Sequence, residues 1–342
     1  MKTNYIISDS FDPYFNIALE DYLLTSAEPD TCILYLWQNQ NTVVVGKNQN
    51  CWSECKVREL EAAGGHLARR LSGGGAVFHD LGNLNFTFIA DKKHYDVDKQ
   101  MAVILRAVKS LGIPAEKSGR NDITIDNKKF SGNAFFSKGQ KSCHHGTLLV
   151  QADMEKLGRY LTVSEDKLKS KGVKSVKARV TNLADYFPEL TIAMMKNKLV
   201  EAFSEEYGEP PLRILKKEIE IKQVKRLYAK YAADTWKYSK LLECTWKISG
   251  RYLWGDINLL FAVKNGIVEE ALVYSDAMDA ELVTGLPLKL KGIEFSSERL
   301  SETLKNLSDD GNISAENDEK NENNEKRRIL KDIQELIRRE GF

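Results

Sequence analysis

The stretch RRLSGGGAVFHDLGNLNFTF (residues 69–88) constrains the fold more than any other part of the chain. Three consecutive glycines stand between a pair of arginines and an apolar run that alternates with period two. Bare backbone of this kind reaches positive φ and lets a ligand approach without a Cβ in the way, and a turn-like run of N–H groups binds anions. The bland reading is a glycine-rich hairpin turn, with Arg69 and Arg70 on a solvated face. The flanking residues favour an anion instead, since guanidinium forks suit phosphate or carboxylate. Neither common phosphate cradle fits. No lysine occupies the place that a Walker loop requires, and the glycines run into a strand rather than into a helix as the dinucleotide fingerprint demands.

Around this stretch the pattern reads as α+β, with mixed, largely antiparallel sheets packed with helices and a small C-terminal α+β accessory domain. FNIALEDYLL (15–24) has helical spacing after an Asp12-Pro13 start, and it leads into CILYLW (32–37) and TVVVG (42–46), which we read as a strand pair. NLNFTFIA (83–90) alternates cleanly, Asp126-Asn127 forms a turn between two β-type runs, and HGTLLV (145–150) is a further strand. Segments 99–111 and 191–207 are helical. Residues 1–244 are expected to form one domain and 245–306 a second, with Lys264-Asn265-Gly266 as a hairpin turn. Residues 307–342 form a disordered acidic, Asn-rich tail that ends in the amphipathic helix RILKDIQELIRREGF.

Fifty basic residues against 49 acidic ones exclude a whole-surface attraction to nucleic acid or anionic lipid. The five cysteines are odd in number and scattered, so they read as reduced thiols of a cytoplasmic protein, and no apolar stretch is long enough for a membrane span. Of the five histidines, His66 and His94 lie in polar surroundings. His144 and His145 are adjacent on a strand and point to opposite faces, which argues against a shared metal ion and for ring donors in a ligand pocket. Alternation likewise sends one of Lys128 and Lys129 inward, and an inward ammonium between a carboxylate and an α-phosphate would neutralise both. Asn121-Asp122 supplies either a carboxylate for magnesium or a turn cap.

RRLSGGGAVFHDLGN (69–83), GRNDI (119–123), KFSGNA (129–134), HHGTLL (144–149) and KGVKSVKARVTNL (171–183) together resemble the bacterial lipoate–protein ligase A family. The resemblance runs from ISDSFDPYFNIALE to LVYSD and covers both expected domains. It implies that ATP and free lipoate form lipoyl-AMP, whose lipoyl group passes to a lysine of lipoyl-domain proteins: E2 subunits of 2-oxoacid dehydrogenase complexes or a glycine cleavage H protein-like acceptor. Magnesium would accompany ATP. By residue, the resemblance implies ATP or adenylate at Arg70, Gly75, Ala76, Val77, Phe78, Asn83, Asp122 and Lys129, with Lys129 catalytic. It implies lipoate at Arg70, Ser72, Gly74, Gly75, His79, Lys129, Ser131, Gly132, Ala134, His144, His145 and Gly146. Lys171, Gly172, Val173 and Ser175 would lie in a loop that closes over the adenylate, and Asp122 would hold Mg2+. Leu71, Asn133 and Cys143 depart from the family pattern. Cys143 raises a rival, because related octanoyltransferases carry an acyl group on a thiol without ATP. A non-catalytic lipoyl-adenylate-binding module is the second rival.

Overall fold

The computed structural model describes residues 1–119, 121–162, 180–309 and 317–342. It divides into two units. The first holds Met1–Val45, Cys51–Arg70 and Ala76–Tyr238, and the second holds Gly46–Asn50, Leu71–Gly75 and Ser239–Phe342.

In chain order the strands of the first unit are β1 (Lys2–Ile7), β2 (Thr31–Trp37), β3 (Thr42–Val45), β4 (His66–Arg69), β5 (Val77–His79), β6 (Asn83–Asp91), β7 (Glu116–Ser118), β8 (Asp122–Ile125), β9 (Lys128–Lys138), β10 (Lys141–Leu149) and β11 (Leu212–Arg213). Eight form one sheet in the order β11-β1-β2-β6-β10-β9-β8-β7, and β4-β3-β5 form a smaller one. In the large sheet β1 is parallel to β2 and β11, and the other pairings are antiparallel. The α+β expectation therefore holds. The strand-pair expectation for 32–46 does not: β2 and β3 sit in different sheets, because residues 38–41, with Asn41 at φ 44°, turn the chain away. The Asp126-Asn127 turn has φ of 50° and 61°, the left-handed pair that a two-residue hairpin needs.

Residues opposite one another across β2, β6 and β10 share a face, which splits the sheet chemically. Leu34, Leu36, Leu84, Phe86, Phe88 and Leu148 point toward the helices Val97–Lys109 and Ile192–Tyr207 and form the main core with Met101, Ile104, Leu199 and Phe203. Each such side chain contributes roughly 1.5–3 kcal/mol by leaving water. The other face carries Trp37, Asn83, Asn85, Thr87, Cys143 and His145, and the helix Pro13–Ser26 lies near it. That helix starts where Asp12 accepts from the Tyr14 and Phe15 amides, with Pro13 in its first turn. It buries Asn16, Glu20 and Asp21 as well as its apolar residues, and buried polar groups of this kind require partners.

The second unit is a β12 (Trp246–Tyr252), β13 (Gly255–Lys264), β14 (Ile267–Ser275) meander. Its turn residues Asn265 and Gly266 both have positive φ. Helices Ala280–Leu290, Ser297–Asp309 and Asn317–Glu340 accompany the meander. The last helix begins well inside the segment expected to be disordered. It also buries Ile329, Leu330, Ile333, Leu336 and Ile337 in the core of this unit, against residues such as Leu259 and Phe261. All five lie in the amphipathic helix expected at 328–342, whose sparse apolar stripe is enough when a sheet lies opposite it. No helix among the described residues is long and apolar enough to cross a membrane.

Candidate active site

The polar face of the large sheet holds a connected buried network. Glu20 Oε1 accepts from Thr87 Oγ1 at 2.7 Å and pairs with His145 Nδ1 at 2.9 Å, and Trp37 Nε1 donates to the Thr87 hydroxyl at 3.1 Å. His79 extends the same surroundings, with its ring edge-on to Trp37 and its Nδ1 at 3.1 Å from Asn39 Nδ2. Asn39 in turn accepts from Asn16, which accepts from Ser8 and Tyr35. Burial, with help from Arg70 and His145, lowers the His79 pKa to about 3, so the ring is neutral and its Nδ1 accepts from the Asn39 amide. The proton then sits on Nε2, which has no partner among the described residues and is available to a ligand. The side-chain Oδ1 of Asn83 and Nδ2 of Asn85 are also without partners among the described residues. This face is thus polar and covered, with buried donors and acceptors that have no partner among the described residues.

Lys129 lies on β9, two strands away from β6. Its ammonium is 2.6 Å from Asp122 Oδ1, and both side chains are about 38% exposed. Lys128 is exposed, as alternation requires of one of the two. The β8–β9 register shifts beside Lys129, and a Cβ on Gly132 would come within 2.8 Å of Lys129 Cε and Nζ. Glycine at 132 therefore gives the lysine its path. Ser131 is fully buried, and Ala134 lies opposite His145 on the polar face.

Arg69 and Arg70 are both buried, contrary to a solvated arginine pair. Arg69 donates to the carbonyls of Trp236 and Lys237, and Arg70 to that of Val44. Burial draws the Arg70 pKa down to about 10, which leaves it charged at neutral pH. Ala76 and Val77 are half-buried, and Phe78 packs against Tyr160. The triple glycine belongs instead to the second unit. Lys47 N donates to the Ser72 carbonyl at 2.9 Å, Gly74 has φ 85°, and a Cβ on Gly73 would collide with the Ala277 carbonyl. Gly75 is open, with nothing within 4 Å of where a Cβ would stand. Lys171, Gly172, Val173 and Ser175 lie outside the described residues.

Two readings change. His144 faces away from the polar network: it is fully buried on the helix-covered side among the rings of Phe86, Phe88 and Phe135. Gly146 shares that side, where a Cβ would meet Phe86 and Asn133. Cys143 is fully buried, and desolvation holds its pKa well above that of a free thiol, which disfavours the thiolate a nucleophile would need. It does share a face with His145, and with Glu20 the three bring ligand-capable atoms within 4.8 Å of one another. Glu20, Trp37, Thr87 and Asn39 escaped the sequence reading. Glu20 had one signal, a helix whose apolar spacing is interrupted by Asn16, Glu20 and Asp21.

Comparison with known proteins decides the kinship. Residues 12–204 match the lipoyl protein ligase A/B catalytic domain, and residues 242–322 match the bacterial lipoate protein ligase C-terminus. The chain belongs to the lipoate–protein ligase family. It is 42% identical over 303 residues to lipoate-protein ligase A of Psychrobacter cryohalolentis, covering 86% of this chain and 89% of that one. Among solved structures, it resembles P. falciparum LipL1 in complex with lipoate at TM-score 0.81 and 30% identity, covering 96% and 99% of the two chains. It also resembles a lipoate-protein ligase A bound with ATP at TM-score 0.61 and 25% identity, covering 69% and 98%. A bipartite lipoate protein ligase with its E2 lipoyl domain from Thermoplasma acidophilum matches at TM-score 0.63 and 26% identity, over 72% of this chain and all of that one.

Proposed function

We propose that this chain is an ATP-dependent lipoate–protein ligase. A carboxylate oxygen of lipoate attacks the α-phosphorus of ATP, and pyrophosphate leaves. The ε-amine of a lysine on a lipoyl domain then attacks the acyl carbon of the adenylate, forming the amide and releasing AMP. The observation that carries the reading is the Lys129–Asp122 pair with the glycine beside it. A part-exposed ammonium paired with the Asp122 carboxylate is placed to exchange that partner for incoming anions, and it would offset charge on both reactants in the transition state.

Arg70, Gly75, Ala76, Val77, Phe78, Asn83 and Asp122 are assigned to the nucleotide with Lys129. Ser72, Gly74, Gly75, His79, Gly132, Ala134 and His145 are assigned to the lipoyl group, and Ser131, which the register sets on the helix-covered face with Ile123 and Asn133, is not. Trp37 and Phe136, on the face of His145, add aromatic surface for its alkyl chain. His144 and Gly146 act from behind the sheet and not by contact with lipoate. Mg2+ fits a site with few protein ligands: the Asp122 carboxylate is part-exposed, and hard cations at nucleotides take one or two carboxylates plus phosphate oxygens. When bound, the ion would supply further charge neutralisation at the phosphates. E2-type and H protein-like lipoyl domains are the proposed acceptors, in a reducing cytoplasm that suits five free thiols.

Lipoate-dependent exchange of labelled pyrophosphate into ATP tests the first step, and a mass shift on a lipoyl domain tests the second. Lys129→Ala is expected to fold and lose exchange by at least about 100-fold, the scale for removing a preorganised charge. A folded Lys129→Ala protein with full exchange would overturn the assignment. Cys143→Ser is expected to keep both activities, which the thiol-transferase rival forbids. Tight adenylate binding without any mass shift would favour the non-catalytic module.

A further inference from the structure

Behind Lys129 and Asp122, on the helix-covered face of the first unit, runs a buried polar chain that the adenylation chemistry does not touch. His144 Nδ1 is 3.0 Å from Gln100 Oε1, and its Nε2 is 2.8 Å from Asn133 Oδ1. A neutral imidazole has one donor and one acceptor, so it cannot donate to both amide oxygens. Its surroundings are Phe86, Phe88 and Phe135, and burial among them draws its pKa down to about 3. One of the two carboxamides is therefore turned.

The choice between them is forced by the remaining groups. Asn133 Nδ2 donates to the Asn121 carbonyl at 3.0 Å, and turning this amide would set oxygen against oxygen. Gln100 Nε2 has no well-formed hydrogen bond among the described residues, and the hydroxyl of Tyr207 beside it has Gln100 and the Cys32 thiol as its neighbours. Turning Gln100 lets Nε2 donate to His144 Nδ1 and offers Oε1 to the Tyr207 hydroxyl. One rotation thus gives Gln100 Nε2 an acceptor and the Tyr207 hydroxyl a carbonyl oxygen. The proton of His144 then sits on Nε2 and points at Asn133.

We propose that His144 is a positioning residue for the Lys129–Asp122 pair, holding it through Asn133 and Asn121. The coupling is short. Asn133 and Asn121 are joined by three hydrogen bonds: Asn133 N and Nδ2 each to the Asn121 carbonyl at 3.0 Å, and Asn121 Nδ2 to the Asn133 carbonyl at 2.8 Å. Asp122 follows Asn121 directly, pairs with Gly132 in the β8–β9 register, and holds Lys129 Nζ at 2.6 Å. His144 thus fixes the carboxamide that clamps the loop presenting the carboxylate. Displacement of a reacting group by about 1 Å can cost on the order of 100-fold in rate.

The kinetic arm of the test rests on the ligase reading, and the spectroscopic arm does not. Nitrogen–proton correlation spectra of full-length protein labelled at histidine, with His144 identified by its absence in His144→Gln, should show the Nε2–H tautomer at pH 7. An Nδ1–H tautomer or an imidazolium would overturn the proposal. In pyrophosphate exchange, folded His144→Phe is expected to lose kcat by about tenfold or more with KM for lipoate within about twofold, and His144→Gln, which keeps a donor toward Asn133, is expected to recover most of it. A folded His144→Phe protein with wild-type kcat would overturn the proposal. If that variant does not fold, Asn133→Ala should show the same kcat loss, and its absence would count equally against it. Wild-type protein with no exchange at all would sink the ligase reading, while the tautomer would still report on the relay.

Discussion

Two imidazoles buried without charge, His79 and His144, tie the stability of this protein to pH. In the unfolded chain each titrates near its usual 6.5, but in the folded protein each takes a proton only near about 3. Above 6.5 neither state binds the protons and stability is unaffected. As pH falls below 6.5 the unfolded chain takes up two protons that the folded one refuses, so stability declines toward pH 3 by roughly 2.7 kcal/mol per pH unit. Urea midpoints between pH 7 and pH 5 should show this slope, and His144→Gln should roughly halve it. An unchanged slope in that variant would mean that the ring is protonated when folded. The same scale shows what the sequence could not tell. That His144 and His145 oppose one another was legible from adjacency on a strand, but which of them joins the Glu20 network and which the aromatic core was not. The answer depends on Gln100 and Glu20, which come from distant helices.

At the scale of elements, the alternation in β6 was readable and its meaning was not. NLNFTFIA looks like a strand with one wet face, yet every residue of Asn83–Ala90 is buried. The period separates a hydrocarbon face from a hydrogen-bonding one, and both are covered. The Asp126-Asn127 hairpin and the proline-led helix start were visible because a turn or cap is a local matter. The neighbours of a strand are not local, which is why β2 and β3 were joined in error. Two glycines illustrate the difference between site and scaffold on such strands. Gly132→Ala should leave the thermal midpoint within a few degrees but displace the Lys129 ammonium and abolish most exchange activity. Gly82→Ala would press a methyl against the Gln151 carbonyl, where backbone has little room to yield. It should cost roughly 3 kcal/mol or more, seen as loss of folded yield or a lowered urea midpoint.

For the whole molecule, the chain visits its second unit twice before it finally enters it, at Gly46–Asn50 and Leu71–Gly75. Asn48 is fastened there through bonds to Ser275, Ala280 and Thr284, and the unit closes on the helix Asn317–Glu340. Ending the chain at residue 309 would remove Ile329, Leu330, Ile333, Leu336 and Ile337 from its core. Such a truncation should lose the cooperative transition of that unit in calorimetry, and Leu336→Ala alone should cost about 2–4 kcal/mol. A full-strength transition in the truncated protein would show the helix to be dispensable. The packing of Gly73 against Ala277 carries a consequence for engineering. Swapping in the C-terminal portion of a relative is not a modular graft, since the donor must also bring a carbonyl that tolerates a hydrogen atom, and nothing larger, at residue 73. A chimera with a mismatched pair would be expected to fail at the triple-glycine turn even when both of its hydrophobic cores are intact.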